Sequence, residues 1–330
     1  MLSSIVKLGE LSGNNLYSLG YFRKYKQELH MLIDPSVKTL GGCANFVATM
    51  DTLVTTDWLS QHLDDPDLVL LDCTVVTKQD TGGGFHNVSG RASYDAGHIP
   101  SAGFADLKGN LCEGNSPVEF AVPTPEQFCA AMGALGVGDD SRVVLYDAGI
   151  SAWAARVWWM LRWVGFDRAA LLDGGLKAWT NEARPLSTGP ADRPAKTLTP
   201  APRPELIADQ DEVRDAIDDD NVRLIDALPE YLYQGEQTVY GRPGHIPGAI
   251  NIPLFNLMDE TGHFQPLDTL AAMHQGDHNA RNITYCGGGI AASANAFVMT
   301  RLGYNNVAVY TASLQEWSAD TANPMVSDVS

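Results

Sequence analysis

Cys286 is followed by three consecutive glycines, Gly287, Gly288 and Gly289, a combination suited to nucleophilic chemistry. Without Cβ atoms the glycines are free to take φ > 0 and turn successive backbone N–H groups inward. If a helix starts directly after them, its dipole and its free N–H groups add to an anion cradle. The cradle then runs over Gly287, Gly288, Gly289, Ile290, Ala291 and Ala292. A cysteine held there is expected to be a thiolate near neutral pH, because helix N-termini depress thiol pKa. Such a thiolate can attack a sulfur donor, and the resulting persulfide, still anionic, would be held by the same N–H groups.

The elements that must position this loop are legible around it. Asn282-Ile283-Thr284-Tyr285 reads as a buried strand running into Cys286. Ile290, Ala294, Phe297, Val298 and Leu302 recur at helical spacing, and Gly303 stops the run. The cysteine therefore sits at the carboxyl end of a strand, the edge where open α/β sheets bind ligands.

The same pattern occurs earlier in the chain. Leu70-Leu71-Asp72 answers Leu224-Ile225-Asp226, and Gly97-His98-Ile99-Pro100 answers Gly244-His245-Ile246-Pro247. Val143-Val144-Leu145-Tyr146-Asp147 answers the cysteine strand, Gly165-Phe166 answers Gly303-Tyr304, and Leu176 to Trp179 answers Leu314 to Trp317. The offset drifts from 154 to 138 while the order holds, as a duplication with shorter loops in its second copy requires. Alternating strand and helix runs imply an α/β fold: two tandem domains, each a mainly parallel sheet flanked by helices on both faces. Residues 50–182 form the first domain and 206–330 the second. Between them 183–205 holds six prolines and is expected to be a semi-rigid surface linker. Residues 1–49 differ in character and are expected to be an extension dispensable for the reaction.

A net charge of −18 over 330 residues argues against nucleic acid or anionic membrane as partners. No stretch reads as a membrane span: the most apolar helical run, Ala152 to Val164, is short and carries Arg156 and Arg162. Five cysteines without a Cys-x-x-Cys pair point to neither a disulfide framework nor a metal site, and to a reducing, cytoplasmic setting. No cofactor is called for. Cys43, Cys73, Cys112 and Cys129 read as small buried hydrophobes. His98 and His245 recur in both copies, so they read as loop-bonding fold elements, as do Asp72 and Asp226. The tryptophans 153, 158, 159 and 163 read as helix packing.

The pattern resembles the tandem-domain rhodanese family, the thiosulfate and 3-mercaptopyruvate sulfurtransferases, over residues 50–325. The carriers are the repeated Gly-His-Ile-Pro-x-Ala, Arg156 to Met160, Asp173-Gly174-Gly175-Leu176 before Trp179, and the loop from Cys286 to Ala292. The resemblance implies that Cys286 in the second domain is the sulfur carrier. It also implies that Asp147 marks a silent first domain, and that sulfur passes from an anionic, thiosulfate-like donor to cyanide or a thiol. The mercaptopyruvate reaction is the alternative. The family's histidine falls on Phe120 and its Gly-Arg-aromatic arginine on Leu232, so neither donor is assigned.

A basic residue should still meet the donor anion. Arg301 lies roughly 16 Å along its helix from the loop. Arg242, just before Gly244-His245, is the expected contact, with Arg156 and Arg91 next. Two rival readings are weaker. A cysteine-dependent phosphatase needs Arg six residues after its cysteine, where this chain has Ala292. A non-catalytic binding module fits the first copy and leaves Cys286 unexplained.

Overall fold

The computed structural model describes residues 50–81, 84–191 and 193–329. The expected extension, 1–49, lies outside the described residues, and Cys43 with it.

Short apolar runs, many of them buried on both faces, become strands. Those of the first half are β1 (Leu53–Val54), β2 (Leu68–Asp72), β3 (Val75–Gln79), β4 (Phe85–Ser89), β5 (Gly103–Phe104), β6 (Arg142–Tyr146) and β7 (Ala169–Leu172). Those of the second half are β8 (Ile207–Ala208), β9 (Val222–Asp226), β10 (Ile250–Asn251), β11 (Arg281–Tyr285) and β12 (Val307–Tyr310). The first sheet runs β1-β7-β6-β2-β5 and the second β8-β12-β11-β9-β10, the same order, with every pairing in both sheets parallel. Two all-parallel sheets of one topology are what the repeated landmarks demanded. The first copy adds one element, the antiparallel hairpin β3–β4.

The cores meet between the copies. Helix Ala152–Trp163 packs on helix Ile290–Arg301, with Trp158 edge-on to Phe297 at 4.9 Å. These are the two helices that follow Asp147 and Cys286, so the interface fixes both turns at once.

The linker is more restrained than its prolines suggest. The amides of Lys196, Ala201 and Arg203 donate to the carbonyls of Gly133, Val164 and Trp163, and Leu198 is buried. The recurrent histidines are fold elements: His98 and His245 bond Tyr94 and Tyr233 carbonyls through Nδ1 (2.8 and 2.7 Å) and stack on those tyrosines. Asp72 and Asp226 each accept the amide two residues on, at 2.9 and 2.8 Å. Cys73 and Cys129 are buried, and burial raises both thiol pKa values, Cys129 to about 11; Cys112 is only half-buried.

Candidate active site around Cys286

The strand β11 delivers Cys286 to the start of helix Ile290–Arg301, as its pattern required. The cysteine is 3% exposed and lies in a cavity of about 520 Å³ that also takes in Gly287, Gly288, Ile290 and Ala291. Ala292 is buried in the first helical turn, where its carbonyl accepts the Thr284 hydroxyl at 3.0 Å.

The glycines do two different jobs. Only Gly289 takes a left-handed conformation, φ 77°, at the helix N-cap. Gly287 and Gly288 do not have positive φ, contrary to the sequence expectation. They are needed for space. A Cβ on Gly287 would lie 2.0 Å from the Tyr240 ring, and one on Gly288 would lie 2.6 Å from Gln315 Nε2. Two side chains therefore press directly on the loop backbone. Burial raises the Tyr240 phenol above its usual range, with Cys286 as a second contributor. Gln315 also accepts the Glu119 amide at 2.7 Å, tying the loop to the first domain.

Behind the loop, the Cys286 amide donates to Ser313 Oγ at 3.1 Å, and Ser313 Oγ donates to Tyr310 O at 2.6 Å. Ser313 holds φ 52°, a strained value for a non-glycine residue, where the first copy uses Gly175 at φ 54°. The hydroxyl's bond to the cysteine amide offsets that strain.

The first copy displays the cradle filled. Asp147 accepts the amides of Gly149 (2.8 Å) and Ser151 (3.0 Å) on one oxygen and those of Trp153 and Ala154 (both 3.1 Å) on the other. Burial raises the Asp147 pKa, and the four amides oppose that. Ser151 is the left-handed N-cap of its helix, as Gly289 is of the second. Trp153 and Ala154 thus correspond to Ala291 and Ala292. Among the described residues, the amides of 287–292 make no hydrogen bond. The second cradle is open.

Arg242 does not reach this cavity. Its Nε, Nη1 and Nη2 donate to the carbonyls of Ser318, Asn323, Trp317 and Asp320, so the guanidinium is spent on stapling the C-terminal segment. The expectation that it receives the donor is corrected by that geometry. Arg91 lies over the Tyr94 and Phe104 rings, and Arg301 binds Asp51 and Thr52; neither lines the cavity. The arginine at the loop is Arg156 of the first domain. It is fully buried, with Nη2 on Phe120 O at 2.8 Å, Nη1 on Gly289 O at 3.4 Å, and Nε without a partner. Burial depresses its pKa to about 10, and Cys286 is the largest influence opposing that. The tryptophans pack as expected, with 158, 159 and 163 buried and Trp153 on Phe120, and Trp153 in addition lines the cavity.

Sequence reasoning missed Tyr240, Gln315 and Ser313. For the first two the run of glycines was only a general signal, since a glycine serves a close approach as readily as a positive φ and does not name the residue that approaches. For Ser313 the signal was the glycine at the matching place in the first copy.

Comparison with known proteins agrees with this architecture. The rhodanese-like domain model matches twice, at 55–182 and 209–320. The chain is 33% identical over 275 residues to the 3-mercaptopyruvate sulfurtransferase of Escherichia coli, covering 82% of this chain and 95% of that one. It is 31% identical over 292 residues to a putative thiosulfate sulfurtransferase of Mycobacterium bovis, covering 84% and 99%. The crystal structure of SseA from Escherichia coli, described as a 3-mercaptopyruvate sulfotransferase with the rhodanese fold, superposes with a TM-score of 0.71 at 31% identity, covering 80% of this chain and 99% of that one. With two copies of the domain, one filled cradle and one open around a cysteine, the chain belongs to the rhodanese family, as a tandem-domain sulfurtransferase.

Proposed function

We propose that Cys286 carries sulfur between two substrates as a persulfide. The carrying observation is the open ring of amides around Cys286, set beside the same ring closed on Asp147. A carboxylate there binds four N–H groups, so an anionic outer sulfur is chemically suited to the vacant set. In the first half-reaction the Cys286 thiolate attacks the outer sulfur of thiosulfate. A new S–S bond forms, the donor's S–S bond breaks, and its electron pair leaves with sulfite. In the second, a thiol or cyanide takes the outer sulfur and Cys286 leaves as the thiolate. The loop amides Gly287 to Ala292 hold the negative charge, and buried Arg156 behind Gly289 supports it from the first domain. The 3-mercaptopyruvate reaction is the second reading, favoured by the Escherichia coli relative's name. There the C–S bond breaks and the pair leaves with pyruvate enolate.

All four described cysteines are free, and no helix among the described residues is long and apolar enough to cross a membrane. The free cysteines support a reducing, cytoplasmic setting. The test is to incubate the protein with thiosulfate and with 3-mercaptopyruvate side by side. One added sulfur mass is expected on the Cys286 peptide, with ping-pong kinetics. Cys286→Ser should lose all transfer with an unchanged circular dichroism spectrum. Transfer by that variant would sink the assignment.

A further inference from the structure

The mouth of the Cys286 cavity has a chemistry of its own. Among the described residues nine large hydrophobic side chains are exposed, and four of them, Phe85, Tyr231, Val239 and Phe255, line this one cavity. Phe85 is 67% exposed and Phe255 58%, so these side chains point outward around the opening without burying each other. Phe85 comes from the hairpin that only the first copy possesses; in the second domain Tyr231 comes from a short α-helix, Phe255 from a 3-10 turn and Val239 from a loop. Trp153 and Phe120 continue the apolar wall inward. Exposed apolar groups gathered at one opening mark a binding surface.

Charge is scarce there. Among the described residues Glu119 is the only Asp, Glu, Lys, Arg or His lining the cavity. Its carboxylate is already engaged by Lys108 at 2.7 Å and Asn87 at 3.1 Å. Arg156 lies behind the loop, out of the lining. Among the described residues no cationic side chain is left over at the mouth for an acceptor's carboxylate, since Lys108, 5.3 Å from the Phe120 ring centroid, is already paired with Glu119; an anionic donor is met instead by the loop amides at the floor. The volume of about 520 Å³ is that of a pocket for a drug-sized molecule.

We propose that the sulfur acceptor is a small uncharged thiol with an aromatic or otherwise apolar body, seated in this collar with its sulfur at Cys286. The inference rests on Cys286 being the sulfur carrier. A small molecule is favoured over a protein thiol because Cys286 is 3% exposed on the cavity floor, beyond the reach of a cysteine on a folded surface. In the step, the acceptor sulfur attacks the outer sulfur of the Cys286 persulfide. The new S–S bond forms as the bond to Sγ breaks, the acceptor's proton stays with the transferred sulfur, Cys286 leaves as the thiolate, and the product is the acceptor's hydropersulfide. No external oxidant or reductant is consumed.

The protein loaded with thiosulfate and freed of excess donor is mixed with 2-phenylethanethiol or 3-mercaptopropionate, alkyl thiols of similar acidity. Loss of the persulfide mass is followed in time. The aromatic thiol should discharge it at least about tenfold faster, as burial of a phenyl group predicts. In Tyr231→Ala/Phe255→Ala that ratio should fall by roughly fivefold. Equal rates, or faster discharge by a reduced dithiol protein than by the aromatic thiol, would overturn the proposal. A second measurement needs no loading. Cys286→Ser titrated in a calorimeter should bind 2-phenylethanol saturably and 3-hydroxypropionate not at all; the reverse, or binding of neither, overturns it. If wild type never loads while the calorimetric selectivity holds, the persulfide reading fails and the collar's ligand class stands.

Discussion

At Asp147 the turn after β6 has both carboxylate oxygens taken up by amides, and the first copy is closed there. At Cys286 the turn after β11 keeps the corresponding amides free and opens onto a cavity. The backbone plan is shared: strand, turn, left-handed N-cap, twelve-residue helix. What differs is one residue of loop length and the side chain at the strand's end. Ser151 is four residues after Asp147, and Gly289 three after Cys286. A carboxylate satisfies the cradle from within and makes it structure. A thiol too short to do so leaves it for a substrate. Duplication thus supplies a scaffold copy and a working copy from one turn.

The largest expected difference between them is on stability. Asp147→Ala leaves four amides without their acceptor, at about 1–3 kcal/mol each if they stay dry, offset by release of a buried carboxylate. A net loss of about 3 kcal/mol is expected, read as a lower melting temperature. Persulfide loading of Cys286, measured per folded molecule, should survive. If loading vanishes while the melting temperature is unchanged, the carboxylate is a participant and the scaffold reading is wrong.

The strand-end acids give a second contrast. Burial pushes Asp226 up to about 7, and its Oδ2 has no partner. Asp72, its counterpart, is also raised by burial but receives both the amide and the hydroxyl of Thr74, where the second copy has Leu228. From about pH 4 to 7 the unfolded chain has released the Asp226 proton while the folded chain keeps it. Stability therefore falls as pH rises through that window and levels off above it. Asp226→Asn has no proton to lose and keeps an acceptor for Leu228. Its melting temperature relative to wild type should climb between pH 5 and 8, with Asp72→Asn showing a smaller climb. A flat difference for Asp226→Asn would mean that the acid is ionised in the fold.

Much of this was legible in the chain. Repeated landmarks gave two copies of one sheet, because strand ends and helix starts are written locally as apolar runs, glycines and capping patterns. Cys286 was legible for the same reason. Arg242 was not, because nearness in sequence to Gly244-His245 is not nearness to the site: its guanidinium turns to four carbonyls about eighty positions on. Tyr240, just ahead of Gly241 in the same loop, gave no local sign that it would press on Gly287. Such contacts depend on how loops close over the sheet edge, which periodicity does not encode.

Two arginines make the last and smallest contrast. Arg156 is buried in the first domain with one hydrogen bond to the Gly289 carbonyl of the cysteine loop; Arg242 is in the second domain with all of its nitrogens on carbonyls of residues that do not line the cavity. Arg156 acts through the loop, so it is a positioning residue. Arg156→Met removes both the charge and the tie, and the donor kcat/KM should fall roughly tenfold to a hundredfold, the size of a lost charge-assisted bond. Arg156→Lys keeps the charge and should recover part of it. Because a buried arginine also holds the domains together, the melting temperature is recorded for both variants. A merely structural role would lower it without the partial kinetic rescue by lysine. Arg242→Ala should do the opposite. Its four carbonyls lose their donor, so the melting temperature drops, yet the donor KM should stay within about twofold of wild type because no charge is removed from the cavity. A tenfold rise in donor KM at an unchanged melting temperature would restore Arg242 to the site and remove the reason for assigning the loop's positive charge to the first domain.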